Sequence, residues 1–274
     1  MTPRTYLFVP GNRPERFAKA LASGADAVVL DLEDAVAPAD KDAARGAVGQ
    51  FLAAASAEKR ARLVLRINDE ATPWFDADLG VLAAHAGAVL MLPKAEQPAT
   101  IARVRVACPG VPVLALIESA RGVLNAEALA ACEGVSRLVF GTIDYALDLD
   151  LSADPAFGDL GLDHAAARLA LASRAAGLPA PVAGVTPDID DETRLLTDFA
   201  RARAHGFGAK LCIHPKQVAP IHAALMPSAQ ELDWARHVVA AAEGSSGAVQ
   251  VDGRMVDKPV LQRAQRLLAR AAPR

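Results

Sequence analysis

Short runs of almost uninterrupted apolar residues recur eight times between residues 5 and 213: TYLFV (5–9), AVVLDL (27–32), RLVLRI (62–67), AVLML (88–92), PVLALI (112–117), RLVFG (137–141), PVAGV (181–185) and AKLCI (209–213). A strand with one wet face alternates polar and apolar residues. A strand covered on both faces does not, so these runs read as buried parallel strands. Longer helix-like segments separate them, among them RPERFAKALASG, PADKDAARGAVGQFLAAA, QPATIARVRVAC, ARGVLNAEALAACEG, HAAARLALASRAAG and DDETRLLTDFARARAHG. Several end on glycine, and Pro14 and Pro98 stand where a first helical turn begins. Eight such strands alternating with helices predict an α/β fold, a parallel (β/α)8 TIM barrel. An open doubly wound sheet would call for a glycine-rich phosphate loop after the first strand, and neither GxGxxG nor GxxxxGK[ST] is present.

The rhythm breaks after about residue 225. The remaining stretch, 226–274, reads as helix, loop, hairpin and helix, with Asp252-Gly253 in VQVDGRMV suited to a two-residue type I′ turn and a last helix from about Pro259. The expected organisation is a catalytic barrel over 1–225 and a C-terminal helical and hairpin extension over 226–274 that caps the barrel and reaches a neighbouring subunit.

Composition narrows the function. Of the 274 residues, 52% are hydrophobic, enough for a large core and too many for a disordered chain. The net charge of −3, with no basic block, argues against nucleic acid or an anionic membrane as partner. The N-terminal sequence MTPRTYLFVPGNRPERF is neither a secretory signal nor a span, which needs about 20 apolar residues. Cys108, Cys132 and Cys212 are far apart, without a CxxC, and read as free core thiols of a cytoplasmic protein.

TIM-barrel active sites form where the strands end. Here the runs are followed by Arg13, by Asp31, Glu33 and Asp34, by Arg66 and Asn68, by Lys94, by Glu118, by Asp144, and by His214 with Lys216. Glu118 and Asp144, past neighbouring strands, could share one Mg²⁺ and leave positions for water and a chelating substrate. Zinc fits poorly without a histidine or cysteine cluster. The fork of Arg66 matches a substrate carboxylate or a developing oxyanion, so the set suits a 2-oxo acid. Each residue also has a plainer reading. Glu118 could be a solvated helix-start carboxylate behind an N-cap at Ser119, and Asp144 a helix cap, as Asp148 and Asp150 are read to be. Asp31, Glu33 and Asp34 read as supports that pair with Arg13, Arg66 or Lys94. Lys94 admits a Schiff-base role or an electrostatic one, and the second is favoured. His214 reads as a packed, hydrogen-bonded histidine.

The segments YLFVPGNRPERFAKALASGADAVVLDLEDAVAPADKDAAR, LRIN, LPKAE, LIESARG, FGTIDYALDL, GVTPDIDDE, GAKLCIHPKQV and VDGRMVDKPVLQRAQRLL, in that order from about residue 4 to 270, resemble the citrate lyase β-subunit family. That family lies within the wider group of HpcH/HpaI aldolases and malyl-CoA or citramalyl-CoA lyases. The resemblance implies a TIM barrel that assembles as a homotrimer or hexamer and depends on Mg²⁺, with Mn²⁺ as the alternative ion. It implies cleavage of a 3-hydroxyacyl thioester, carried by CoA or an acyl-carrier protein, into a 2-oxo acid and an acetyl thioester. Glu118 and Asp144 match its metal ligands, and Arg66 matches the arginine that grips the oxo acid. Phe8 and Arg13 match residues lining the site and approaching the thioester or its CoA phosphates. Asp257 matches an acid donated to a neighbouring subunit's site, and so becomes the candidate general acid/base. Hydrolysis of malyl-CoA, action inside a citrate lyase complex, and non-catalytic metabolite binding are the competing readings. One departure is Asp150, where such motifs often carry glycine.

Overall fold

The computed structural model describes residues 2–152, 160–242, 249–251 and 254–271. The chain divides into two compact units, Met1–Ile221 and His222–Arg274. In the first, β1 (Thr5–Pro10), β2 (Ala27–Asp31), β3 (Leu63–Arg66), β4 (Val89–Leu92), β5 (Val113–Ile117), β6 (Val135–Phe140), β7 (Val182–Ala183) and β8 (Ala209–Cys212) close into a barrel in sequence order. All eight neighbouring pairs are parallel, including β8 with β1. The expected (β/α)8 barrel is the fold.

The two-residue period of a strand explains both the apolar runs and the position of the site. Tyr6, Ala27, Val29, Val64, Met91, Leu114, Leu116, Val139, Val182, Ala209 and Leu211 fill the barrel interior. Their strand neighbours, such as Val28, Leu30, Leu63, Leu65 and Leu90, are equally buried and face the helices. Continuing the inward series past the apolar residues gives Asp31 on β2, Arg66 on β3 and Glu118 after β5. The charged groups therefore ride on rigid strand ends.

Helix starts follow the sequence signals. Pro14 opens a short 3-10 turn and Pro98 opens the helix Pro98–Ala107. Gly177 and Gly206 end their helices in the left-handed region, at φ 72° and 99°. Several elements differ from expectation. The segment expected as one helix over ARGVLNAEALAACEG is two, Ala120–Leu124 and Ala126–Ala130, with Asn125 at the break. The seventh strand is confined to Val182–Ala183. A helix that the pattern did not mark, Phe75–Ala84, lies between β3 and β4. Asp150, the departure from the family pattern, sits at φ 50°, a conformation that favours glycine and that aspartate tolerates.

In the second unit, Ala229–Ala242 packs on Lys258–Ala271 around Ala235, Val238, Val256, Ala264 and Leu267. β9 (Val249–Val251) and β10 (Arg254–Val256) pair antiparallel. The expected turn at Asp252-Gly253 lies outside the described residues. Cys108 and Cys212 are buried and Cys132 is half-buried; all three thiols are free. Among the described residues no helix is long and apolar enough to cross a membrane.

Candidate active site

The site is assembled from strand pairing. The register of β2 and β3 sets Asp31 opposite Arg66. Both face inward, so the guanidinium meets the carboxylate as a two-pronged pair: Nε to Oδ1 and Nη2 to Oδ2, each 2.7 Å. Asp31 also accepts the backbone N–H groups of Glu33 at 2.9 Å and Ala35 at 3.2 Å, which folds the loop after β2 back over the barrel mouth. Lys41 closes that loop from the other side. Its buried ammonium donates to the carbonyls of Leu32 and Glu33, both at 2.7 Å.

The folded loop brings two further acids to Arg66. Glu33 Oε2 lies 2.8 Å from Nη1, out of line for a hydrogen bond, and Asp34 Oδ2 lies at 3.4 Å. The Phe8 ring packs against the guanidinium at 4.9 Å. Burial alone would depress the pKa of Arg66, but Asp31, Glu33 and Asp34 outweigh it and hold the group protonated. Glu33 is the least satisfied member. Burial pushes its pKa up to about 7 against the pull of Arg66, with Asp34 and Asp31 adding to the rise.

Glu118 is 4% exposed, so the solvated helix-start reading does not describe it. Ser119 does cap the following helix, accepting from Gly122 N at 3.1 Å, while Glu118 turns inward. Its Oε1 accepts the backbone N–H of Lys94 at 2.7 Å. Lys94 adopts φ 44°, a left-handed conformation uncommon for lysine, to present that N–H. On the other side Gly141 passes so close that a Cβ there would lie 2.6 Å from Glu118 Oε2 and 2.7 Å from Glu118 Cβ. Burial raises the Glu118 pKa to about 8; the Glu33 and Asp144 charges add to the rise, while the Lys94 N–H and Arg66 oppose it.

A cavity of ≈ 500 Å³ joins these groups; Phe8, Asp31, Asp34, Arg66, Glu118 and Asp144 are among its walls. Asp144 enters from the first turn of the helix Thr142–Asp148. The other candidates stand elsewhere. Arg13 is exposed beyond β1, and its side chain donates to Glu15 at 3.1 Å. Lys94 is exposed at the end of β4. Burial would lower its pKa, but Glu33, Asp69, Glu118 and Asp34 raise it, which favours an electrostatic role over a neutral amine nucleophile. Asn68 bonds buried Asp78, and His214 caps the turn Pro215–Gln217. Asp148 accepts the N–H of Ala120 at 2.7 Å. Asp257 belongs to the second unit, is half-buried, and accepts from Val260 N at 3.2 Å at the start of its helix. Lys41 and Gly141 were not marked by the sequence. The signal for Gly141 was present, as the glycine closing an apolar run beside an inward acid.

The donor set is all oxygen. Among the described residues no three histidine, cysteine or acidic side chains come close enough to form a complete metal cage. A cation here would take Glu118 and Asp144 and fill its other positions from water and substrate. That arrangement suits a hard divalent ion that keeps several waters, and does not suit zinc. The raised pKa of Glu118, set by its burial and by the nearby Glu33 and Asp144 charges, would be relieved by such a charge.

The closed (β/α)8 barrel with an acid-rich cavity at the C-terminal ends of its strands has the layout of a TIM-barrel enzyme. The chain belongs to the HpcH/HpaI aldolase/citrate lyase family, whose model matches residues 4–215. A model described as a C-C bond lyase of the TIM-barrel fold matches residues 171–273. A citrate lyase subunit beta-like protein of Mycobacterium tuberculosis is 40% identical over 270 residues, 97% of this chain and 94% of the relative. A (3S)-malyl-CoA thioesterase of Cereibacter sphaeroides is 34% identical over 272 residues, 98% of this chain and 94% of the relative. The crystal structure of protein CitE from Mycobacterium tuberculosis in complex with magnesium, acetoacetate and coenzyme A matches with a TM-score of 0.87 and 39% identity, covering 98% of each chain.

Proposed function

We propose that the chain is a Mg²⁺-dependent carbon–carbon lyase. It cleaves or forms a 3-hydroxyacyl thioester of the malyl, citramalyl or citryl type, with a 2-oxo acid and an acetyl thioester on the other side of the reaction. The observation that carries this reading is the pairing of Glu118 and Asp144 with an immobilised Arg66 in one ≈ 500 Å³ cavity. The magnesium, acetoacetate and coenzyme A named for the similar Mycobacterium tuberculosis structure support it.

In this reading Glu118 and Asp144 hold the ion, and Arg66 grips the carboxylate end of the oxo acid. The bound ion supplies Lewis acidity at the substrate oxygen that changes charge during cleavage. Phe8 walls the cavity, and Arg13 reaches toward the thioester or its CoA phosphates. Asp257, donated by a second copy in a homotrimer or hexamer, moves the proton at the acetyl carbon. Asp257→Asn is expected to lower kcat by about 10²–10⁴-fold. Asparagine caps a helix as well as aspartate, so the melting temperature and Mg²⁺ affinity should stay as in the wild type. Wild-type turnover in this variant would remove Asp257 from the mechanism.

The close pass of Gly141 gives a second prediction. A methyl group there must push the Glu118 carboxylate aside, because the clash reaches back to its Cβ. Gly141→Ala is expected to weaken Mg²⁺ binding by about 10–100-fold, measured by calorimetry, with the barrel still folded.

A second reading is favoured by the (3S)-malyl-CoA thioesterase relative: water attacks the thioester and no carbon–carbon bond breaks. The direct experiment runs the reaction toward synthesis. Purified protein receives Mg²⁺ and acetyl-CoA with glyoxylate, pyruvate or oxaloacetate in separate reactions, and the products are identified by mass. A new CoA adduct with one acid names the substrate. Activity only with an acyl-carrier thioester indicates a citrate lyase complex, and no product with either carrier argues against the lyase.

A further inference from the structure

The strand β8 carries a lysine that the reading above leaves unused. Ala209 and Leu211 face the barrel interior, so Lys210 points outward, toward the helical layer. It is 2% exposed. Its ammonium donates to the Gly184 carbonyl at 2.7 Å, and among the described residues it meets no second acceptor. Three N–H groups with one partner is a poor arrangement for a buried cation.

Lys210 lies on a second cavity of ≈ 360 Å³, between β6–β8 and the helices Leu160–Ala175 and Glu192–Ala204. The walls are mostly apolar, with Phe140, Leu162, Ala166, Ala183 and Phe207. Both acids on the lining are engaged by other groups. Asp163 takes Arg201 at 2.8 and 2.9 Å and His205 at 2.9 Å. Asp198 takes Thr186 and Arg194, both at 2.7 Å. Among the described residues the lining holds Lys210, Arg194 and Arg201 with two carboxylates, both of them taken up by groups other than Lys210. Among the described residues Lys210 has no carboxylate in contact. Burial lowers its pKa to about 8, which still leaves it mostly charged at neutral pH.

We propose that this cavity is a second ligand site, for a short-chain monocarboxylate whose carboxylate pairs with Lys210 and whose alkyl body lies against Phe140, Ala166 and Phe207. One buried ammonium with a single carbonyl partner selects a single negative charge. A dicarboxylate or a phosphate dianion would bring a second charge into an apolar chamber with no free cation to meet it. The volume is at the small end for ligand pockets and suits a compact acid, not a coenzyme. The site is separate from the proposed metal and oxo-acid groups, although Thr142, Ile143 and Val185 touch both cavities.

The probe is 4,4,4-trifluorobutyrate, titrated into the full-length protein and followed by ¹⁹F NMR. The wild type is expected to show a saturable shift in the millimolar range or below, reversed by isobutyrate and not by inorganic phosphate. The uncharged 4,4,4-trifluorobutyramide should bind at least about tenfold more weakly, the equivalent of one lost charge contact. Lys210→Met should lose binding by a similar factor. Ala166→Leu fills the chamber without touching the charge and should lose it too, so the test survives if Lys210→Met does not fold. Neither variant touches the barrel-mouth cavity. Wild-type affinity in a folded Ala166→Leu protein, or no saturable shift in the wild type, overturns the proposal.

Discussion

Arg66→Met is expected to lower the stability of the protein by roughly 3–5 kcal/mol at neutral pH, the cost of leaving buried carboxylates without their cation. The side chain is only 11% exposed and lies against Asp31, Glu33 and Asp34. The pH dependence has a definite sign. The Glu33 pKa is already raised from 4.5 to about 7 with Arg66 present, and losing the arginine moves it further up. A carboxyl whose pKa is raised on folding holds a proton that the unfolded chain releases, so stability falls as pH rises between the two values. Urea titrations should therefore show a smaller loss at pH values near 5 than near 8 for this variant. Adding Asp31→Asn should recover part of the stability, since the unpaired carboxylate is then gone. It should not recover activity, because the oxo-acid carboxylate still has no partner.

Glu118→Gln is expected to lose roughly 10³-fold or more in kcat, the scale set by several kcal/mol of charge stabilisation. Mg²⁺ binding supplies the check that separates this from a folding defect. In the metal-free protein the Glu118 carboxyl titrates at about 8, so below that pH a proton must leave before a cation enters. Wild-type Mg²⁺ affinity should rise by about tenfold per pH unit and level off above pH 8. In Glu118→Gln it should be weak and lack that rise. The linkage shows in stability as well. Without metal, the raised pKa makes the folded state lose stability from pH 4.5 toward pH 8, and saturating Mg²⁺ should flatten that decline. Wild-type Mg²⁺ binding by Glu118→Gln would contradict the metal assignment.

Much of this was legible because the barrel enforces one rule at every strand. Interior residues alternate, so an acid or arginine placed two residues beyond an inward valine or leucine must face the mouth. Asp31 after Val29, Arg66 after Val64 and Glu118 after Leu116 follow it. The pairing of Asp31 with Arg66 needed the β2–β3 register, which no single segment encodes. Lys94 could be read as a charge, yet what it gives Glu118 is its backbone N–H, made available by a left-handed φ that side-chain chemistry does not announce. Gly141 matters through a gap of under 3 Å to a side chain on the neighbouring strand's loop, a property of assembled structure. The helix Phe75–Ala84 escaped because its apolar residues do not fall on one clear face. Lys210 was hidden inside an apolar run, where a charged residue reads as an interruption until the outward face of β8 is seen to border a chamber.

The most direct test of the central claim is to give the Mg²⁺-loaded protein (S)-malyl-CoA and citramalyl-CoA and to quantify 2-oxo acid and free thiol in the same reaction. The account predicts one 2-oxo acid per acetyl-CoA formed from at least one of them, no accumulation of free thiol, and loss of both products when the metal is chelated. Free thiol without oxo acid would show that the carbon–carbon bond is left intact and would contradict it.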